Sequence, residues 1–207
     1  MEAIAALAVL LGSVSQATTG FGFSLVCAPF LVAAYGAPTG VQINIVISIV
    51  LNIALITTGW RTVDRRAVSR LLVPAAIATL IIGPLIKGRD TDGLTVVAGA
   101  LCLIGVGMVA RSRTPQRVTG AVGTIVTGAV SGSMNVTAGI GGPPVVLFGT
   151  TAGWSPEVAR PTLQTFFLGI NLVALATLGW PSRLPVIVWV AMAAGFLVAR
   201  PLVPRLA

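Results

Sequence analysis

The sequence has no histidine and only five acidic residues, and charged residues make up 9% of its 207 positions. Soluble domains carry roughly 25% charged residues, so this chain has too little polar surface to cover a globule. Its acids fall at the expected ends of apolar segments or in loops: Glu2, Asp64, Asp90, Asp92 and Glu157. With no residues for acid–base or metal chemistry inside the apolar region, we expect neither an enzyme nor a bound metal or cofactor.

Long apolar runs dominate the sequence instead. Hydrophobic residues make up 56% of the chain, and the mean hydropathy is +0.99. A transmembrane β-barrel would alternate polar and apolar residues, whereas these runs are continuous. The sequence therefore predicts an all-α polytopic membrane protein. Its two cysteines, Cys27 and Cys102, lie in apolar runs and are expected to act as small hydrophobic residues.

Nine apolar segments can be drawn along the chain. They cover approximately 3–18, 21–35, 41–60, 69–86, 94–110, 118–135, 139–152, 162–180 and 184–204. A full span needs about 20 residues, and the second and seventh segments are shorter than that. They are either tilted spans or half-helices that enter the bilayer and return, so the chain has about seven to nine membrane segments.

The net charge of +8 orients these segments. Basic residues in membrane proteins concentrate in cytoplasmic loops, and no arginine–aromatic cluster suggests a nucleic-acid partner. Two loops and the C-terminus carry the basic clusters: Arg61, Arg65, Arg66 and Arg70; Arg111, Arg113 and Arg117; Arg200 and Arg205. These clusters predict a multi-pass membrane protein with an outside N-terminus and a cytoplasmic C-terminus.

Two stretches break the apolar runs with the same residue types. "ATTGFGFSLVCAPFL" covers 17–31, and "NVTAGIGGPPVVLFG" covers 135–149. A shift of 119 residues superposes Thr18, Gly20, Gly22 and Asn52 on Thr137, Gly139, Gly141 and Asn171. With one residue of slippage, Ala54, Leu55, Thr57, Gly59 and Trp60 match Ala174, Leu175, Thr177, Gly179 and Trp180. The agreement indicates an internal duplication.

The shift covers five segments, an odd number, so the second copy is expected to be upside down relative to the first. Secondary transporters are often built from such inverted repeats, with the substrate bound where broken helices of the two halves meet. We expect one transmembrane transporter domain over 1–207, with repeats at approximately 1–90 and 118–207 and a linker segment at 94–110.

The two breaks have the chemistry of an anion site. A helix that restarts after a glycine or proline break points free N–H groups and partial positive charge at whatever fills the gap. The candidate binding residues are Thr18, Thr19, Gly20, Gly22, Ser24, Asn135, Thr137, Gly139, Gly141 and Gly142, with further contact considered for Asn52, Asn171 and Arg160. The alternative is that small residues here only pack helices together, and that the two asparagines only join helices.

At these residues the sequence resembles the sulfite exporter TauE/SafE family of bacterial membrane transporters. The resemblance rests on "TTGFGFSLVCAPFL" and "SGSMNVTAGIGGPPVVLFG", each near the start of one half. It implies two inverted halves and export of sulfite, organosulfonates or other sulfur-containing anions. It also implicates the residues around Gly20 to Ser24 and Gly139 to Pro144.

The resulting hypothesis is a secondary transporter that exports a small sulfur-containing oxyanion by alternating access. The expected partners are the anion and the lipid bilayer, and a homo-oligomer is left open. A passive anion channel and a non-transporting membrane scaffold are the alternatives. The residues alone do not identify the anion or the coupling ion.

Overall fold

The computed structural model describes residues 1–56, 59–87 and 120–199, with isolated positions between 93 and 107. These residues form eight α-helices and one short 3-10 helix, Trp60–Thr62. The α-helices are α1 (Glu2–Thr19), α2 (Phe23–Tyr35), α3 (Ala37–Ile56), α4 (Arg65–Ile86), α5 (Ala121–Ala138), α6 (Gly142–Thr151), α7 (Pro156–Leu178) and α8 (Val186–Ala199). The described chain contains no strand, as the composition predicts.

Four of these helices are long and apolar enough to cross a membrane: α1, α3, α4 and α7. Two others, α2 and α8, are apolar but shorter. Large apolar side chains cover the outside of the bundle, for example Leu7 on α1 and Ile77 on α4. An outer surface of this kind fits hydrocarbon rather than water.

Parts of the sequence interpretation lie outside the described residues. They include most of the linker segment 94–110 and the acids Asp90 and Asp92. They also include five basic residues, one matched residue and one cysteine: Arg111, Arg113, Arg117, Arg200, Arg205, Thr57 and Cys102.

Three helices, α3, α4 and α7, begin four or more residues before their predicted segments. The fourth segment is predicted from 69, whereas α4 begins at Arg65, directly after its N-cap Asp64. The third segment was expected from 41 and the eighth from 162, whereas α3 begins at Ala37 and α7 at Pro156. Pro38 lies in the first turn of α3, where a backbone N–H has no intrahelical partner to lose. Pro161 lies inside α7, and membrane helices tolerate such prolines where neighbouring groups satisfy the freed backbone.

Small residues bring helices into close contact. On α5, a Cβ at Gly128 or Gly132 would collide with the carbonyl of Leu71 or Ala75 on α4. On α8, a Cβ at Gly195 would collide with the carbonyl of Leu10 on α1. The helix-packing role that glycine has in membrane proteins therefore applies at these positions.

Helices α3 and α7 pack together and run antiparallel. Near the start of α3, Nε2 of Gln42 donates to the carbonyls of Leu178 and Gly179, at 3.0 and 3.2 Å, where α7 ends. In the loop after α3, the N–H of Asp64 donates to Oγ1 of Thr162, at 3.0 Å, near the start of α7. This antiparallel pair carries most of the buried amide side chains of the bundle.

Candidate functional site

The two predicted breaks are both helix-to-helix turns. Helix α1 ends at Gly20, whose φ of 86° is left-handed and whose N–H donates to the carbonyl of Gln16 at 2.9 Å. Helix α5 ends in the same way at Gly139, with φ 72° and an N–H bond to the carbonyl of Asn135 at 2.8 Å. Glycine adopts this conformation without the steric penalty that a Cβ brings. The glycines at these two positions therefore specify where the helices end.

The helices restart at Gly22 and Gly141, which are the N-cap residues of α2 and α6. Gly22 has φ 107° and so needs glycine for its conformation. Gly141 has φ −87°, which any residue can adopt, but its Cβ would lie 3.0 Å from Cβ of Asn135. Glycine is therefore needed at Gly22 for backbone shape and at Gly141 for space.

Both restarts open on one small cavity in the middle of the bundle. The cavity encloses about 30 Å³, which is room for about two water-sized groups. Its lining comes from both halves of the chain: Gln16, Phe21, Gly22, Ser24, Leu25, Ser48 and Asn52; Asn135, Ile140, Gly141, Gly142, Phe167 and Asn171.

Two equivalent hydrogen bonds cross this cavity region. Nε2 of Gln16 donates to Oδ1 of Asn52 at 2.7 Å, and Nδ2 of Asn135 donates to Oδ1 of Asn171 at 3.0 Å. The shift of 119 residues that aligns the two halves carries the first pair onto the second. The same contact thus joins the first and third helices of each half.

Three polar groups at the cavity wall are available to bind a ligand. Oγ of Ser48 and Nδ2 of Asn52 are buried and have no hydrogen-bond partner among the described residues. The hydroxyl oxygen of Ser24 accepts a bond from Nδ2 of Asn44 at 3.0 Å, so its proton remains available to donate. Since buried polar groups are nearly always paired, these atoms indicate that something polar occupies the cavity.

A second set of bonds links the halves crosswise. Nε2 of Gln164 on α7 donates to the carbonyl of Gly20 at 2.6 Å, a contact we call the Gly20 clasp. Nδ2 of Asn44 on α3 donates to the carbonyl of Gly139 at 2.9 Å, which we call the Gly139 clasp. Each half's third helix thus holds the end of the other half's first helix.

The clasps lie on opposite sides of the cavity. Asn44 is two turns before Asn52 on α3, roughly 12 Å along the axis, on the side where α3 begins. Gln164 is two turns before Asn171 on α7, on the side where α7 begins. Since the two helices run antiparallel, one clasp lies towards each end of the bundle.

The structure brings seven of the sequence-derived candidates to the cavity wall: Gly22, Ser24, Asn52, Asn135, Gly141, Gly142 and Asn171. The other six candidates do not line it: Thr18, Thr19, Gly20, Thr137, Gly139 and Arg160.

Local bonds and packing account for those six positions. The hydroxyls of Thr18 and Thr19 bond back to the carbonyl of Ser15, one turn earlier on α1. Gly20 and Gly139 have their carbonyls in the clasps. The two remaining residues lie near other parts of the bundle: Arg160 packs over Gly20, and Thr137 lines a separate cavity.

Sequence reasoning did not include Gln16 or Ser48 among the candidates, although both line the cavity. The signal was present in α3, where Asn44, Ser48 and Asn52 recur every four residues and so share one helix face. A polar stripe on an otherwise apolar span favours an interior position, which the structure confirms for all three residues.

Larger cavities lie towards the two ends of the bundle. One of about 210 Å³ is lined by Gln42, Lys87 and Thr137 near the end of α7. Another, of about 480 Å³, is lined by Arg66 and Arg70 at the start of α4. Among the described residues, no group of three or more histidine, cysteine, aspartate or glutamate side chains could hold a metal ion.

The fold and the cavity define a helical, multi-pass membrane protein with a polar site between two broken helices, the arrangement of a transport protein. The chain matches the family model described as Sulfite exporter TauE/SafE over residues 4–207, and it belongs to that family. Membership implies a membrane transport protein for sulfur-containing anions. No curated protein and no solved structure matches the chain.

Proposed function

We propose that this protein is a secondary transporter that exports a small sulfur-containing oxyanion, sulfite or an organosulfonate, across the cytoplasmic membrane by alternating access. The observation that carries the proposal is the meeting of the two helix restarts, Gly22 and Gly141, at one polar cavity. Free backbone N–H groups and partial positive charge at helix N-termini bind oxyanions without an intramembrane cation.

We propose further that one domain over 1–207 contains inverted repeats at approximately 1–90 and 118–207. Two observations support this. The Gln16–Asn52 and Asn135–Asn171 bonds are related by the repeat shift. The equivalent helices α3 and α7 run antiparallel, as a two-fold axis in the membrane plane requires.

Substrate contact is proposed for the candidates at the cavity wall, with the free hydroxyl of Ser48 added to them. The candidates away from the wall take other roles. Gly20 and Gly139 form the clasps, and Thr18 and Thr19 shape the end of α1. Thr137 lines the separate cavity that Lys87 also lines. Arg160 packs over the Gly20 turn, at the end of the bundle that carries Arg66 and Arg70.

Alternating access would use the clasps in turn. In the described conformation both the Gly20 clasp and the Gly139 clasp are formed, and the cavity between them is small. Breaking one clasp frees one half to rock against the other and opens the cavity to one side. The basic end with Arg66 and Arg70 is proposed to face the cytoplasm.

Counterflow in liposomes tests the proposed function. Purified protein in vesicles preloaded with unlabelled sulfite is expected to accumulate labelled sulfite transiently and saturably. A non-saturable leak would indicate a passive channel. The absence of any flux, despite intact folded protein, would indicate a scaffold.

Ser48→Ala sharpens this test. Because Oγ of Ser48 has no partner among the described residues, its removal takes no hydrogen bond from the fold. We expect unchanged thermal stability and about tenfold weaker substrate binding, the loss of one hydrogen bond to a charged group, about 1.5 kcal/mol. The matched control is Ser69→Ala on α4, where the hydroxyl is exposed and bonds the carbonyl of Arg66. Unchanged affinity in Ser48→Ala would remove Ser48 from the site.

No single carboxylate is expected to carry the pH dependence of transport. The described acids lie at helix starts: Glu2 and Glu157 in first turns, and Asp64 as the N-cap of α4, accepting from the N–H of Ala67 at 2.9 Å. Asp64→Asn should leave the helix cap nearly as stable, since asparagine caps as well as aspartate.

The measurement for that prediction is the pH profile of counterflow in five single variants, one at each acid: Glu2, Asp64, Asp90, Asp92 and Glu157. All five profiles should follow the unmodified protein. A variant that still binds sulfite but has lost its pH dependence would identify a coupling carboxylate and contradict the expectation.

A further inference from the structure

We propose that the cavity selects an anion with a single negative charge, so that sulfite is bound and carried as hydrogensulfite rather than as its dianion. This inference rests on the proposed function, and it specifies the ionic form that the same site accepts. It follows from the charge, the donors and the acceptor that the described cavity presents.

Charge is the first constraint. Every residue at the described cavity wall is neutral: the side chains are amides, hydroxyls and apolar groups, and no lysine or arginine is among them. The free energy required to bring an ion from water into a medium of low dielectric constant rises with the square of its charge. A dianion would therefore lose about four times as much hydration free energy as a monoanion, with no side-chain cation to compensate.

The backbone offers compensation for about one charge. Helices α2 and α6 both begin at the cavity, at Gly22 and Gly141. Each helix N-terminus acts as at most roughly half a positive elementary charge, and Pro143 and Pro144 remove two N–H groups from that of α6, so the two together supply no more than about one positive charge. The buried, unpartnered Oγ of Ser48 and Nδ2 of Asn52 are independent signs that a ligand belongs here.

The two sides of the cavity differ in a way that suits a protonated oxyanion. Two side-chain donors without a partner among the described residues, Oγ of Ser48 and Nδ2 of Asn52, lie on α3, and Ser24 lies beside them on α2. On the other side, Pro143 and Pro144 remove two N–H groups from the first turn of α6. Oδ1 of Asn135 lies there too, 3.2 Å from where a Cβ on Gly141 would stand, and accepts no hydrogen bond within the described chain.

An anion that carries one proton satisfies both sides. Its oxygens accept from the donors of the α2 and α3 side, and its proton is donated to Oδ1 of Asn135. A dianion without a proton would face that carbonyl oxygen with like partial charge. A substrate that brings its own proton also requires no histidine or buried carboxylate in the protein, and the sequence has no histidine.

The experiment is calorimetric titration of the purified full-length chain with sulfite from mildly acidic to mildly alkaline pH. Above the second ionisation of sulfite, the affinity for total sulfite should fall about tenfold per pH unit, because only hydrogensulfite binds. Chlorate, a pyramidal anion with one fixed charge, is the reference, and its affinity should stay constant over the same range.

The outcomes are distinct. A sulfite affinity that is constant or rises with pH would overturn the single-charge assignment. A chlorate affinity that falls in parallel with that of sulfite would place the titrating group on the protein and overturn it as well. Failure of sulfite to bind at every pH would instead contradict the proposed function.

Discussion

Gly141→Val is expected to abolish anion binding. The backbone at Gly141 has φ −87°, which valine adopts without strain, but a Cβ there would lie 3.0 Å from Cβ and 3.2 Å from Oδ1 of Asn135, so these atoms must shift and the thermal stability should fall. Its side chain would enter a cavity of only about 30 Å³ and displace the anion. We expect at least a 100-fold loss of sulfite affinity, about 2.8 kcal/mol, by calorimetry.

A graded series and a matched control support that measurement. Gly141→Ala places a single methyl group 3.0 Å from Cβ of Asn135, so it should give a smaller loss than valine. Thr150→Val puts the same side chain on α6 at an exposed position away from the cavity, and it should bind normally. If Gly141→Val bound sulfite with unchanged affinity, the site would lie elsewhere.

Gln164→Leu is expected to separate transport from binding. Gln164 does not line the cavity, but its Oε1 accepts from Nε2 of Gln16, a wall residue, at 3.1 Å. The same Nε2 keeps its shorter bond to Oδ1 of Asn52, at 2.7 Å, so the affinity for sulfite should change less than the transport rate. Its loss removes the Gly20 clasp and leaves the buried carbonyl of Gly20 without its donor, which destabilises the fold by about 1–3 kcal/mol. With one clasp gone, the halves should no longer close on that side, and counterflow should slow at least tenfold, about 1.4 kcal/mol.

Gln42→Leu is the control for the clasp. It is the same substitution on the partner helix α3. It removes two hydrogen bonds to backbone carbonyls, those of Leu178 and Gly179. Gln42 is only partly buried and lies at the end of the bundle, where water can satisfy the freed groups. Normal counterflow in Gln42→Leu with slow counterflow in Gln164→Leu would support the clasp. Equal rates in both would contradict its role in the cycle.

The position of each helix break could be read from the sequence because it depends on local backbone chemistry. Gly20 and Gly139 adopt left-handed conformations, and Pro143 and Pro144 fit the first turn of a new helix. Each of these effects acts within a few residues of its cause. The exact helix starts were less accessible: α3 and α7 take in polar and proline residues before their apolar segments, because contacts with neighbouring helices extend them.

The wall of the cavity could be predicted only in part. Asn52 and Asn171 were found because the repeat marks them, and Gly22 and Gly141 because they end the breaks. Ser48 has no polar counterpart in the second half, where the repeat places Phe167, so the duplication gave no sign of it. Side-chain direction on a helix depends on how that helix is rotated against its neighbours, which sequence spacing constrains only loosely.

The sequence by itself determined the helical membrane class and the places where the helices break, and it showed which residues a shift of 119 matches. These properties follow from composition, from the conformational freedom of glycine and proline, and from repetition along the chain. Only the tertiary structure decided which polar groups share the cavity, that Gln164 and Asn44 clasp the opposite half, and that Thr18 and Thr137 face elsewhere. Those facts depend on contacts between helices far apart in sequence, and the packing of the whole bundle sets them.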